Sequence, residues 1–439
     1  LSSSEPIRVV SKTSDVDANR ITRIAQQSVC QNAACSSQPL TQERVDRAAM
    51  LVTEITGYQV KGELVPGKEL GTATMVLHTS KRFGAVPGLE EVDVAALTAP
   101  RHGYVAEVSA DNFGSRATGV NRVQGRLAYA DLVQDGDQLG VSYMTTNKTD
   151  IKNFVLDYSI ALGDDGWRLG AGTGKTQYTL TNTSGGYVGD ATTANLYLAY
   201  PVVRSTKRNI DFRVDVDRVG LSDESAAPEN RRLHTIRAGV SGDFQDQSTS
   251  GLAANTTWGV GVAASDLKYD DGRNTSTVGH QNKYTARLSR IQNINQTGWY
   301  LDGNVYGQQA TDNLDSYSKL FLGGASAVRA YAGGEVGGDT AWIGQFALGK
   351  AWSSASSSSG QGIQTSVSTF YDRGWARLQE NPSVGVTGNQ VVRSGWGLEA
   401  KISHKDKFSL RAFWAEGRNG SSTIDGKKSR IGLSVGLAF

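Results

Sequence analysis

The side chains able to do chemistry are present in this chain but scattered. Five histidines, His78, His102, His234, His280 and His404, fall in separate segments without metal-ligand spacing, so no zinc cluster and no metalloprotease helix can be assembled from them. Serine and aspartate are abundant, yet nothing reads as a nucleophile elbow. Gly170-Ala171-Gly172-Thr173-Gly174-Lys175-Thr176 has the composition of a phosphate loop. It lacks the strand-loop-helix setting that such a loop needs, and its glycines are expected to line the inside of a strand. Cys30 and Cys35 enclose Gln-Asn-Ala-Ala with no histidine nearby. A small disulfide is the expected state and points to an oxidising compartment, with two free thiols as the alternative. The expectation is a protein that is no enzyme and uses no cofactor or metal.

The elements around these residues change character once along the chain. Up to about residue 82 the pattern is mixed: a short strand at Pro6 to Val10, then Ile21, Ile24, Ala25 and Val29 at helical spacing. A second helix is expected from an N-cap at Thr41, with Val45, Ala48, Val52 and Ile55 on one face and Gly57 as its stop. Tyr58 to Leu64 and Thr72 to His78 then read as a strand pair, completing a βααββ order. Residues 83–101 read as a linker.

From residue 102 to Phe439 the helical period is gone. Ile210, Phe212, Val214 and Val216 interleave with Asp211, Arg213, Asp215 and Asp217, and Trp396, Leu398, Ala400 and Ile402 with Gly397, Glu399, Lys401 and Ser403. A period of two sorts these sets onto opposite faces of a sheet, one apolar and one polar or small. About sixteen such segments follow one another, joined alternately by tight turns and by long polar connections at 219–230, 270–281, 379–390 and 416–428. An even number of amphipathic strands with that asymmetry predicts a transmembrane antiparallel β-barrel.

Composition agrees. Only 38% of the 439 residues are hydrophobic, and glycine supplies 51 of them against 8 prolines. No run of ~18 apolar residues provides a spanning helix, whereas a barrel needs apolar side chains on its outer face alone. With 45 basic and 43 acidic residues the net charge is +2, which argues against a nucleic-acid partner. The chain starts at Leu1 without a basic stretch leading into an apolar core, so any signal peptide is expected to have been removed.

Two segments narrow the function. Phe321-Leu322-Gly323-Gly324-Ala325-Ser326-Ala327-Val328-Arg329-Ala330-Tyr331 follows the eleventh strand, and Phe370-Tyr371-Asp372-Arg373-Gly374 lies in the thirteenth. Together they resemble the Val-Arg-Gly-Tyr/Phe loop motif and the Phe-x-Asp-x-Gly strand motif of the two-partner secretion transporters, a family related to outer-membrane insertases. Ala330 departs from the usual glycine. Weaker matches fall in the family's order: Leu64 to Thr72 is similar to the turn of its second POTRA domain, Asp111 to Ser115 to its first barrel hairpin, and Gly136 to Leu139 to the start of its third strand.

The resemblance implies a POTRA domain over 1–82, an entry segment over 83–101, and a barrel over 102–439 whose loop 323–341 folds inward. It implies that Arg329 pairs with Asp372, with Val328, Tyr331, Phe370 and Gly374 completing the lock. Val45, Val52, Tyr58, Val60 and Leu64 would dock an unfolded client, and the terminal Phe439 would act as the insertion signal read by the barrel-assembly machinery. The family normally carries a plug helix and a further POTRA domain ahead of this one, which the chain is expected to lack. The implied partners are a large secreted exoprotein with an amino-terminal secretion domain and the lipid of the bacterial outer membrane. The implied state is a monomer with its POTRA domain in the periplasm. Whether the client is an adhesin, a haemolysin or a contact-dependent inhibition toxin stays open. An insertase and a general diffusion porin are the alternatives.

Overall fold

Alternation and helical spacing translate directly into elements. The structure, a computed structural model, describes residues 7–11, 17–30, 41–66, 73–80, 103–114, 119–147, 151–180, 187–224, 229–247, 251–354, 362–404 and 407–439. The pairing of Cys30 with Cys35 therefore lies outside the described residues, as do His102 and the whole of the 83–101 segment.

The amino-terminal module comprises β1 (Ile7–Ser11), α1 (Ala18–Cys30), α2 (Gln42–Thr56), β2 (Gln59–Pro66) and β3 (Ala73–Ser80). Asp17 starts α1, its carboxylate accepting from the N–H groups of Asn19 and Arg20 at 3.0 Å each. Thr41 holds the N-cap position of α2, but its side chain makes no capping bond. Gly57 ends the helix in the left-handed region with φ 72°, as a C-terminal glycine does. Ile21, Ile24, Ala25, Val45, Ala48, Val52 and Ile55 form one core against Met75 and Leu77 of the sheet. The sheet order is β1-β3-β2, with β1 parallel to β3, which leaves β2 as an edge beside α2.

Sixteen strands close the barrel. They are β4 (Tyr104–Asp111), β5 (Arg122–Ala130), β6 (Gln138–Thr146), β7 (Ile151–Leu162), β8 (Trp167–Leu180), β9 (Tyr187–Val203), β10 (Arg208–Asp223), β11 (Glu229–Gln247), β12 (Ala253–Tyr269), β13 (Gly279–Asn293) and β14 (Trp299–Ala310). After a loop holding a two-residue hairpin, β15 (Leu320–Phe321) with β16 (Gly337–Gly338), come β17 (Thr340–Ser353), β18 (Ile363–Arg377), β19 (Gln390–His404), β20 (Phe408–Gly417) and β21 (Ser429–Ala438). β21 returns to pair with β4, from Ser434 opposite Asp111 to Ala438 opposite Glu107. Phe439 extends that seam, its N–H donating to Ala106 O at 2.9 Å.

Outer-face side chains such as Val216, Ile236, Val260, Leu398 and Leu433 are exposed, as lipid-facing positions must be. The glycines of the 170–176 segment lie inside β8, where Gly170, Gly172 and Gly174 stand opposite Ser159, Asp157 and Val155 on the inner wall. An extended strand with that register cannot wrap a phosphate.

One expectation needs correcting. The 219–230 connection is mostly strand, since β10 runs to Asp223 and β11 begins at Glu229. Val219, Leu221, Leu233 and Leu267 pack there with Ala191 in an apolar cluster. Their charged neighbours disguise the alternation.

The module sits on the rim formed by the tight turns. Arg23 reaches Asp164 at 2.8 Å, and Arg204 bridges Glu54 at 2.6 Å and Asp211 at 2.5 Å. Arg168 donates to the carbonyls of Glu54 at 2.9 Å and Gly136 at 3.0 Å. Gly136 is needed twice over, with φ +81° and a Cβ position only 1.9 Å from Ile55 O. Arg168→Ala should loosen this contact, and amide hydrogen exchange at the end of α2 is expected to accelerate while that of β12 and β13 stays unchanged.

Candidate functional site

The inner wall of β17 to β20 is where the loop between β14 and β17 comes to rest. Barrel register puts Gln345, Asp372 and Gly395 on one inner row and Ala347, Phe370, Gly397 and Ala415 on the next. Over these rows lies the loop tip. Arg329 Nη2 donates to Asp372 Oδ1 at 2.7 Å and Nε to Oδ2 at 2.9 Å, a bidentate pair, and the Arg329 backbone N–H adds 3.0 Å to Oδ2. Arg329 is 6% exposed and Asp372 0%. Such a pair holds both distance and plane, and its guanidinium also stacks 3.4 Å from the Phe370 ring centroid.

The remaining partners were not singled out from the sequence. Glu399 accepts from Arg329 Nη1 at 3.1 Å and from Arg411 Nε at 2.8 Å, with Lys401 3.2 Å away. Glu399 was legible as an inner-face position of an alternating strand, but only the tertiary fold shows which acid faces Arg329. Phe370, Phe413 and Phe113 form an aromatic patch with Val328 and Tyr331. The Tyr331 hydroxyl accepts from Asn419 N–H at 3.1 Å.

Small residues make this contact possible. A Cβ on Gly397 would lie 1.9 Å from Trp414 O and 2.5 Å from Phe370 Cζ, and one on Gly374 would crowd Leu322 and Val328 at 3.0 and 3.2 Å. Ala330 needs no glycine, because the positive-φ non-glycine residues among those described are Asp131 and Val336. Its methyl is accommodated by Gly395, where a second Cβ would come within 2.7 Å.

Three further carboxylates tie the loop to its surroundings. Asp315, at the loop's root, meets Arg231 of β11 at 2.8 Å, and Arg231 also holds Asp223 at 2.7 Å. Asp339 accepts from Lys319 at 2.6 Å and from the N–H of Glu380 at 2.9 Å. Glu335 meets Arg393 at 3.1 Å, Ser422 Oγ at 2.8 Å and Thr423 N–H at 2.9 Å. Burial works to raise the Glu335 carboxyl, but the Thr423 N–H, the Ser422 hydroxyl and Arg393 outweigh it and hold it below its ordinary 4.5.

The neighbouring inner wall of β11 to β13 meets the loop's root at Arg231, Gln281 and Lys283 and is exposed further toward the module. By register Arg237, Thr285 and Arg287 face inward, yet all three are exposed, and Gly239, Gly259 and Gly261 lie between them. The loop thus covers the wall of β17 to β20 and leaves these inward residues of β11 to β13 exposed.

The residues expected to dock a client are not brought to a surface. Val45, Val52 and Tyr58 are buried in the module, because the apolar face of α2 is its core face, and Val60 and Leu64 are half-buried against the same core. The four described histidines are not brought together: His78 lies on β3, and His234, His280 and His404 on three different barrel strands.

Comparisons with known proteins bear on this geometry. Residues 92–400 match the family model described as haemolysin secretion/activation protein ShlB/FhaC/HecB. The heme/hemopexin transporter protein HuxB of Haemophilus influenzae is 24% identical over 387 residues, 85% of this chain and 64% of its own length. The outer membrane transporter CdiB of Dickeya dadantii (strain 3937) is 27% identical over 263 residues, 56% of this chain and 46% of its own length. The chain thus spans less than two thirds of the length of these curated relatives. Among solved structures, CdiB from Escherichia coli superposes with a TM-score of 0.74 at 14% identity, covering 99% of this chain and 76% of that one. BamA from Haemophilus ducreyi lacking POTRA domains 1–3 gives 0.58 at 13% identity, covering 99% and 85%. These likenesses show the fold, a closed sixteen-stranded barrel behind a POTRA-type module.

Two measurements test the site. Asp372→Asn leaves Arg329 without its bidentate partner and should destabilise the docked loop by about 3–5 kcal/mol, read as faster protease cleavage at Arg329. For Glu335, a carboxyl held lower in the folded state than in the unfolded one stabilises fully above its ordinary value. That stabilisation is lost as pH falls through the folded value. Cleavage within 416–428 should therefore rise as pH falls below the group's ordinary 4.5, and Glu335→Gln should flatten the dependence.

Proposed function

Because the chain belongs to the haemolysin secretion/activation family ShlB/FhaC/HecB, we propose that it is an outer-membrane pore that exports a large, unfolded exoprotein through its barrel. The observation that carries this reading is a lumen lined by a locked loop on one stretch of wall and by exposed polar residues on the stretch beside it. A loop locked by Arg329, Asp372 and Glu399 covers the wall of β17 to β20, while β11 to β13, next to β14, present exposed Arg237, Thr285 and Arg287 over glycines. An extended polar chain can slide along such a wall without meeting an apolar trap.

The module is the receptor for that chain, facing the periplasm. With its apolar α2 face consumed by its own core, the docking element is the main-chain edge of β2 beyond Val60, whose N–H is taken by Thr53 Oγ1 at 3.2 Å, and that edge can accept another strand by backbone hydrogen bonds. Phe439, on the outer surface at the closing seam, is the insertion signal for barrel assembly, and the working unit is a monomer. The printed functions of HuxB, a heme/hemopexin transporter, and CdiB, an outer membrane transporter, support transport as the class. The insertase alternative has only the fold-level likeness to BamA behind it.

The test is export of a cognate exoprotein, encoded beside this chain, from cells producing each variant. Deleting residues 1–82 should abolish export while the purified barrel still conducts ions in a planar bilayer. Arg329→Asp and Asp372→Arg should each impair export, and the double exchange should restore part of it. No rescue at normal barrel levels would count against the lock, and full export without the module would count against the receptor role.

A further inference from the structure

The outer face of β17 carries Trp342, Gly344, Phe346, Leu348, Lys350 and Trp352, the set opposite to the inward Gln345 and Ala347. Trp342 and Trp352 stand ten residues apart. At about 3.3 Å per residue and a tilt near 40°, they are separated by about 25 Å along the membrane normal, the height of a barrel's apolar band. Phe346 and Leu348 fill the interval and are exposed. Trp375 pairs with Trp342 on the loop side, and Trp299 pairs with Lys350 on the module side. The two interfaces are therefore marked by aromatic pairs.

Lys350 lies one row inside Trp352. Its ammonium is 5.7 Å from the Trp299 ring centroid and 5.5 Å from that of Trp352. Its ladder partners are Trp299 and Val367, and the next row holds Leu301, Leu348 and Thr369, none of them acidic. A lysine so placed extends its stem over apolar surface and its ammonium into the headgroup layer. The rings beside it are both indoles, whose N–H is a donor without acceptor capacity. One cation with two flanking donors calls for an acceptor-only anion at headgroup depth.

We propose that Trp299, Lys350 and Trp352 form a binding site for the phosphate group of a phospholipid in the leaflet on the module side. The assignment rests on the membrane placement described above, with the module in the periplasm, where that leaflet is phospholipid. It goes beyond general contact with lipid, because it assigns one headgroup to one cluster.

The test uses the full chain in detergent micelles, titrated with phosphatidylglycerol and followed by native mass spectrometry. Lys350→Gln should retain about fivefold less lipid, the factor expected for one lysine at a phosphate surface. Lys350→Arg should retain it, and Trp352→Phe, which keeps a ring and removes the N–H, should lower it. Lys268→Gln, an exposed lysine on β12 away from the cluster, should match the unaltered chain. Equal retention by Lys350→Gln would overturn the site. Loss of the lipid to a large excess of inorganic phosphate would also overturn it, showing a free-anion site in its place. Insertion into phosphatidylglycerol vesicles is scored in parallel: a chain that inserts but shows no Lys350 effect sinks this proposal alone, and one that fails to insert sinks the membrane placement with it.

Discussion

Keeping a guanidinium inside a barrel constrains everything around it. Arg329 is nearly fully buried, and a buried charge is tolerated only when its partners are complete. Asp372 takes two of its donors, Glu399 a third, and the Phe370 face covers the plane. Glu399 is in turn neutralised by Arg411 and Lys401. These five charged groups come from one loop and three adjacent strands, so the loop can occupy its place only if β18, β19 and β20 are in register. The glycines at 374, 395 and 397 follow from the same demand, since the loop's Val328 and Ala330 and the Phe370 ring need the space that a Cβ would take.

That lock fixes the loop against one stretch of the inner wall. The loop's root and return are held by Asp315, Asp339 and Glu335, each bonded to a different neighbouring segment. The loop therefore behaves as a fixed lining of the wall from β17 to β20. The module contributes through position: its helices sit on the turns around 131–137, 163–166 and 201–206, on one part of the rim.

Much of this was legible in the residues. Period-two alternation located the barrel and its sixteen strands, helical spacing found α1 and α2, and the two motifs placed Arg329 and Asp372. What failed did so for identifiable reasons. The strand ends around 219–230 were hidden because charges flank Val219 and Leu221 beyond the membrane band. Val45, Val52 and Tyr58 were assigned to a docking surface because an apolar helix face looks the same whether a partner or the protein's own sheet covers it. Glu399 was visible as an inner-face acid but not as a partner of Arg329.

The sequence by itself determined which face of each strand meets lipid, because a period of two is a local property that no distant contact can alter. It also determined where the chain passes from a packed module to a barrel. Only the tertiary structure decided which inward residues are covered and which face water, since that depends on where one long loop comes to rest. It likewise decided that Ala330 can replace a glycine, because the space for its methyl is provided by Gly395, sixty-five residues further along and adjacent only once the barrel has closed.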